Sequence, residues 1–133
     1  MKQQYIPSFN WFNPTRVIFG SGVLSQLSSL IDEISGVHSS VFLVTGRKSL
    51  RARGILDNVV KSIGESRVVL YDKVTPFPSP DLVDDAVEMC RRAAADIVVA
   101  IGGGSAMDLA KCVAILMNND GNAADYAFGL KTI

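Results

Sequence analysis

The chain has 133 residues, 48% of them apolar and 20% charged, and its thirteen basic side chains balance thirteen acidic ones. One domain of this length buries roughly two-thirds of its unfolded surface, and the charge balance excludes a general electrostatic case for nucleic acid or a membrane surface. A single histidine, His38, and two cysteines, Cys90 and Cys112, exclude a His-rich metal site and a disulfide framework built from this sequence.

No apolar run reaches the roughly eighteen residues of a membrane span. Residues 1–8 carry no apolar signal core, so the expectation is a cytoplasmic protein with no membrane partner. The aromatic stretch Phe9, Trp11 and Phe12 is broken by Pro14 and suits a strand that pairs elsewhere, for instance with another subunit. Residues 17–20, Val-Ile-Phe-Gly, read as a strand, with Leu24, Leu27 and Ile31 marking a short helix after it.

Three apolar runs follow, at residues 41–44, 68–71 and 97–101. They are rich in β-branched residues and lack polar alternation, as strands buried on both faces do in a parallel sheet. Between them lie helical stripes. The first is Leu56, Val59, Val60 and Ile63, closed by Gly64. The second is Val83, Ala86, Val87, Cys90 and Ala94, with Ser79 as N-cap, Pro80 at the first position and Asp81 in the first turn. The third is Ala106, Leu109, Ala110, Val113 and Met117. The pattern predicts an α/β domain with a doubly wound, mostly parallel, Rossmann-like sheet. After residues 118–121 only a short tail with no closing strand is expected, which reads as part of something larger.

The turn Gly102-Gly103-Gly104-Ser105 lies between a buried strand and a helix. Ligands bind at the carboxyl ends of such strands. Three missing Cβ atoms let a phosphate approach the backbone amides, and the following helix aims its positive end at the same place. A dinucleotide pyrophosphate is the natural occupant. The turn is neither of the two familiar fingerprints: Met107 stands where G-x-G-x-x-G needs its last glycine, and Gly46-Arg47-Lys48-Ser49 fails the P-loop spacing. Ser105 and Asp108 form an S-x-x-D box, which by default is a helix cap.

Four positive charges, Arg47, Lys48, Arg51 and Arg53, follow the first clear strand, and no acid occurs between Glu33 and Asp57. At the start of a helix they oppose its dipole unless an anion sits nearby. In a dinucleotide site this turn reaches the adenosine ribose, where an acid favours NAD and basic residues favour NADP. NADP is therefore expected, with NAD as the alternative and a solvated basic face as the plain reading. His38 reads as an exposed spectator, Cys90 as core, Cys112 as lacking an activating base, and Asp84-Asp85 as a solvated helix face.

Several of these segments resemble the iron-dependent (group III) alcohol dehydrogenases. Residues 12–22, Phe-Asn-Pro-Thr-Arg-Val-Ile-Phe-Gly-Ser-Gly, are similar to that family's opening strand and turn. Leu43-Val44-Thr45-Gly46 and Pro76-Phe77-Pro78 follow in matching order, and residues 96–111 are close to its GGGS-x-x-D-x-A-K signature. The resemblance implies that residues 1–133 are the N-terminal NAD(P)-binding domain of a two-domain enzyme. This architecture is shared with dehydroquinate synthase. It also implies interconversion of alcohols and aldehydes or ketones by hydride transfer, and commonly a homodimer, in some members with the N-terminal strand exchanged. Cofactor contacts are expected at Gly46, Arg47, Lys48, Ser49, Gly102, Gly103, Gly104, Ser105 and Asp108. The Fe2+ or Zn2+ site, of one Asp and three His, and a Thr- and Gly-rich stretch completing the cofactor site are expected beyond Ile133. The chain alone is thus expected to hold no catalytic metal and no catalytic residue. Gly46 stands where many members carry an acid, which strengthens the NADP expectation, and Phe77 stands where an Asn is frequent, so the polar cofactor contact such an Asn makes is expected to be lost. A glycerol-dehydrogenase-like protein and a non-catalytic nucleotide-binding or oligomerisation module are the competing readings.

Overall fold

A computed structural model of the chain describes residues 10, 12–46, 48–127 and 130–132. The three apolar runs form strands β1 (Val41–Gly46), β2 (Val68–Val74) and β3 (Ile97–Ile101), the first two running further than their apolar cores. All pair in parallel in the order β2-β1-β3, with Val41 opposite both Val68 and Ile97. Successive side chains of a strand face opposite ways, and here both faces are covered. Phe42, Val44, Tyr71 and Val74 pack against helices α4 (Pro80–Arg92) and α5 (Gly104–Leu116). Val41 and Leu43 pack against α1 (Leu27–Ser35) and α3 (Ile55–Ile63). Central β1 is therefore buried along residues 41–45, and that is why its sequence shows no alternation. The doubly wound α/β architecture follows from these two layers.

Local signals act largely as the sequence indicates. Ser79 Oγ accepts from the Leu82 amide at 3.3 Å, with Pro80 at the first helical position of α4. Gly64 ends α3 at φ 108°. The stripe of α4 stops at Cys90, however, because the chain leaves the helix with Ala94 at φ 46° and the Ala95 amide bonding back to the Cys90 carbonyl at 3.3 Å. Ala94 is consequently exposed rather than part of the core.

One expectation near the N-terminus is corrected. Residues 17–20 form no strand. Residues 12–19 run without helix or strand, and Phe12, Val17 and Phe19 are exposed. A strand requires a pairing partner, and among the described residues this segment's contact is the ion pair from Arg16 to Glu33 at 2.8 Å. Phe9 and Trp11 lie outside the described residues. Of the basic run, Lys48 immediately precedes, Arg51 lies in and Arg53 immediately follows a single turn, α2 (Ser49–Ala52), which is separated from α3 by Gly54 (φ 66°). The tail shows no closing strand among the described residues and carries a short helix, α6 (Ala123–Ala127), whose Ala123 amide donates to Asp84 Oδ1 of α4 at 2.8 Å.

Arg67, just before β2, ties two loops together. Its Nε donates to the Ser39 carbonyl at 3.0 Å, its Nη2 to the Gly36 carbonyl at 3.2 Å, and its Nη1 pairs with Asp32 at 2.9 Å. No described helix is long and apolar enough to cross a membrane.

Candidate functional site

Parallel strands deliver their carboxyl ends to one edge of the sheet, and at that edge lies a cleft of about 270 Å³. Its walls are Gly46 at the end of β1, Val74, Thr75 and Pro76 at the end of β2, and the segment Gly102 to Ala106 after β3. The described lining is uncharged, so nothing in it repels an anion. A larger hollow of about 390 Å³ lies elsewhere, lined by Arg51, Asp57, Lys61 and Glu65 among others. Its charges largely cancel, whereas the smaller cleft is the one that holds the glycine turn.

The glycines of the turn divide into two kinds. At Gly102 (φ 153°) a Cβ would stand 3.1 Å from the Ala106 Cβ, so the chain's own packing demands glycine. At Gly103, Gly104 and Gly46 a Cβ would meet nothing within 4 Å. Gly103 has an ordinary extended backbone, φ −84° and ψ −170°. Nothing in the fold requires a missing side chain at these three positions, and each bare position leaves room at the cleft. That is the shape of a cradle for a group that must touch the backbone.

The donors for such a group are present. Helix α5 starts at Gly104, and its first backbone bonds run from the Ala106 and Met107 amides to the Gly103 carbonyl at 3.1 and 3.2 Å. The Gly104 and Ser105 amides precede them at the open end, where the helix dipole is positive and no acidic residue occupies the first turn. The S-x-x-D box does not cap this helix. Its N-cap is Gly103 with no side-chain bond, which makes Ser105 the second helical residue and leaves its side chain half-buried at the cleft. Asp108 sits a turn further on, exposed, with Lys111 Nζ 3.7 Å away, and it does not line the cleft.

Of the basic turn, Arg47 lies outside the described residues, as does the side chain of Ser49, which begins α2. Lys48 is exposed immediately before α2. Arg51 pairs with Asp72 of β2 at 2.6 Å. The buried Thr45 hydroxyl donates to the Gly46 carbonyl at 3.4 Å, which helps fix the end of β1. Of the Thr75-Pro76 wall, Pro76 belongs to the segment 76–78 that carries part of the family resemblance, while Thr75 was not singled out by sequence reasoning. The wall's signal was available, since it is the turn at the carboxyl end of an interior strand run.

The remaining candidates have structural employment. Asp85 Oδ2 accepts from the Tyr71 hydroxyl at 2.9 Å and from Lys73 Nζ at 3.2 Å. The Tyr71 bond, helped by Lys73, holds the Asp85 carboxyl below its ordinary range. Asp84 holds the start of α6, so the pair is not merely a solvated face. Cys90 is buried, and burial pushes its thiol up. Cys112 is exposed as a residue, yet partial burial of its thiol, with Asp108 nearby, also pushes it up and away from the reactive thiolate. His38 is exposed in the turn after α1.

Among known families, the model described as "Iron-containing alcohol dehydrogenase" matches residues 14–133. The NADH-dependent butanol dehydrogenase A of Clostridium acetobutylicum is 35% identical over 89% of this chain, and the match covers 30% of that protein. The NADPH-dependent aldehyde reductase YqhD of Escherichia coli is 30% identical over 84% of this chain and 28% of its own length. In structure, the NADH-dependent butanol dehydrogenase A of Thermotoga maritima superposes with a TM-score of 0.86 at 30% identity, over 95% of this chain and 32% of that one. The chain thus spans about 30% of the length of such curated relatives.

Proposed function

Because this chain belongs to the iron-containing alcohol dehydrogenase family, we propose that it is the dinucleotide-binding part of an oxidoreductase that interconverts alcohols and aldehydes or ketones, with NADP(H) as its preferred cofactor. The observation that carries the reading is the cleft where bare positions 46, 103 and 104 meet the open amino end of α5. When bound, the nicotinamide cofactor supplies the hydride. The chain's own residues bind and orient. The Gly104 and Ser105 amides and the Ser105 hydroxyl hold the pyrophosphate, Gly102 keeps strand and helix close, and Gly46 leaves space beside the adenosine ribose.

Preference for the 2′-phosphate rests on charge. No acid stands at the end of β1, Gly46 gives room, and Lys48 is exposed two residues on, with Arg47 between them in sequence. The relatives' names point both ways, NADH for one and NADPH for another, so likeness does not choose. The iron the family implies does not fit here. Among the described residues no group of three or more His, Cys, Asp and Glu side chains gathers to hold a metal, so no step of this proposal passes through one. The reading takes residues 1–133 as the N-terminal cofactor domain, with the metal-binding part of the enzyme elsewhere. A cytoplasmic homodimer completes it, supported by two free thiols and by the exposed apolar residues Phe12, Val17 and Phe19, which suit burial against a second subunit.

Calorimetric titration with NADP+ and NAD+ side by side tests the proposal. Tighter binding of NADP+, with the advantage reduced in Lys48→Ala and Arg47→Ala, is the expected result. Binding of neither dinucleotide would overturn the cofactor role, and tighter NAD+ would overturn the preference.

A further inference from the structure

Phe77 is 95% exposed, and its φ is +55°. Both properties are unfavourable for this residue type. An aromatic ring left in water forgoes its burial. A bulky residue at positive φ is a conformational outlier, and the proline that follows, Pro78, further disfavours helical backbone angles at the residue before it. Phe77 belongs to neither apolar cluster of the core, so the fold itself does not use the ring. Strained, solvent-facing positions of this kind concentrate where a ligand is gripped.

The position of the residue says which part of a ligand it would meet. Its neighbours Thr75 and Pro76 line the same cleft as the glycine turn, and Phe77 follows them directly in the chain, next to the lining rather than in it. The sheet order is β2-β1-β3. Neighbouring strands are about 4.8 Å apart, which puts the end of β2 roughly 10 Å from the end of β3, with Gly46 between them. A ligand with its phosphates at the amino end of α5, crossing the bare surface of Gly46, brings its far end to Phe77. On the cofactor reading above, on which this inference rests, the ribose crossing Gly46 is that of the adenosine, and the group beyond it is the base.

We propose that the Phe77 ring is the platform on which the adenine of the dinucleotide stacks, which makes Phe77 a binding residue of this chain. Every purine offers a flat π-face, so the contact needs no hydrogen-bonding partner beside the cleft and contributes affinity with little base specificity. The strained backbone holds the ring beside the cleft before the ligand arrives, so less ordering is left to binding.

The test compares the wild-type chain with Phe77→Leu, which keeps an apolar side chain, and Phe77→Tyr, which keeps the ring. Each is titrated with NADP+ and with inorganic pyrophosphate, and the adenine H2 and H8 resonances of bound NADP+ are followed by NMR. Since the residue is exposed, neither change disturbs the core. The expected result is a loss of NADP+ affinity of roughly five- to hundredfold in Phe77→Leu, recovered in Phe77→Tyr, with pyrophosphate binding unchanged. The adenine protons should shift upfield in the two ring-bearing proteins only. Equal NADP+ affinity in all three would overturn this inference and leave the cofactor reading standing. An equal loss for pyrophosphate would overturn it too, since the effect would then lie in the glycine turn. A wild-type chain that binds neither NADP+ nor NAD+ would overturn both readings.

Discussion

Gly102 and Ala106 are in contact across the strand-to-helix turn: a Cβ at 102 would lie 3.1 Å from that of Ala106. The bare Gly103 and Gly104 beside it make no such demand on the fold.

Gly102→Ala should therefore destabilise the protein. The added methyl must displace Ala106 or the helix, and the backbone at φ 153° disfavours a side chain in any case. A cost of about 1–3 kcal/mol is expected, as for overpacking elsewhere. Urea denaturation would measure it. The double variant Gly102→Ala with Ala106→Gly should recover part of the loss, because it removes the steric partner and leaves only the backbone strain. If the second change only adds to the first, the contact is not the cause.

Gly104→Ala should behave in the opposite way. Position 104 opens α5, and a Cβ there meets no protein atom within 4 Å. Stability should hold or rise by up to about 1 kcal/mol, since alanine is the better helix former. Dinucleotide binding should nevertheless fall, because the methyl occupies the approach to the amides. Paired denaturation and calorimetry would separate the two effects. Unchanged affinity would mean that no ligand comes close to this backbone.

The strands and the faces of α3, α4 and α5 were legible because two-sided burial requires unbroken apolar runs and one-sided burial requires a helical stripe. The glycine turn was legible as a strand-to-helix junction because it stands between an apolar run and a helical stripe. What could not be read depends on partners distant in sequence. Residues 17–20 have the composition of a strand but find nothing to pair with among the described residues. Arg51 looks like a free charge until β2 brings Asp72 to it. Asp84 and Asp85 look like a solvated pair until Ala123 and Tyr71 arrive from other elements. The Thr75-Pro76 wall of the cleft exists only once β2 lies beside β1.

Arg67 offers a second stability test, remote from the cleft. Its guanidinium is largely sheltered and serves the Gly36 and Ser39 carbonyls together with Asp32, so truncation strands several polar groups at once. Arg67→Ala should cost about 2–3 kcal/mol, the scale of a charge-assisted hydrogen bond with partners left unsatisfied. Arg67→Lys should recover little of it, because a single ammonium cannot span acceptors set out for a planar fork. Denaturation midpoints of the two variants would decide. A lysine variant as stable as wild type would show that charge alone matters there.

The Tyr71–Asp85 bond makes one contribution to stability dependent on pH, with a definite sign. The Tyr71 hydroxyl donates to the Asp85 carboxylate, and this bond, with Lys73, lowers the folded pKa below the ordinary 3.8. The folded state therefore takes up this proton less readily than the unfolded chain. The contribution is fully present above the unfolded value and is lost as pH falls through the folded one. Tyr71→Phe keeps the buried ring but removes the donor, so the Asp85 pKa should rise towards its ordinary value. NMR titration of the Asp85 side-chain carboxyl carbon would show the rise directly. The stability gap between wild type and Tyr71→Phe should be widest near neutral pH and shrink on acidification below about 4. The Asp85 carboxyl is half exposed, so the gap will be small. A gap that widens in acid would mean the hydroxyl favours the protonated carboxyl instead.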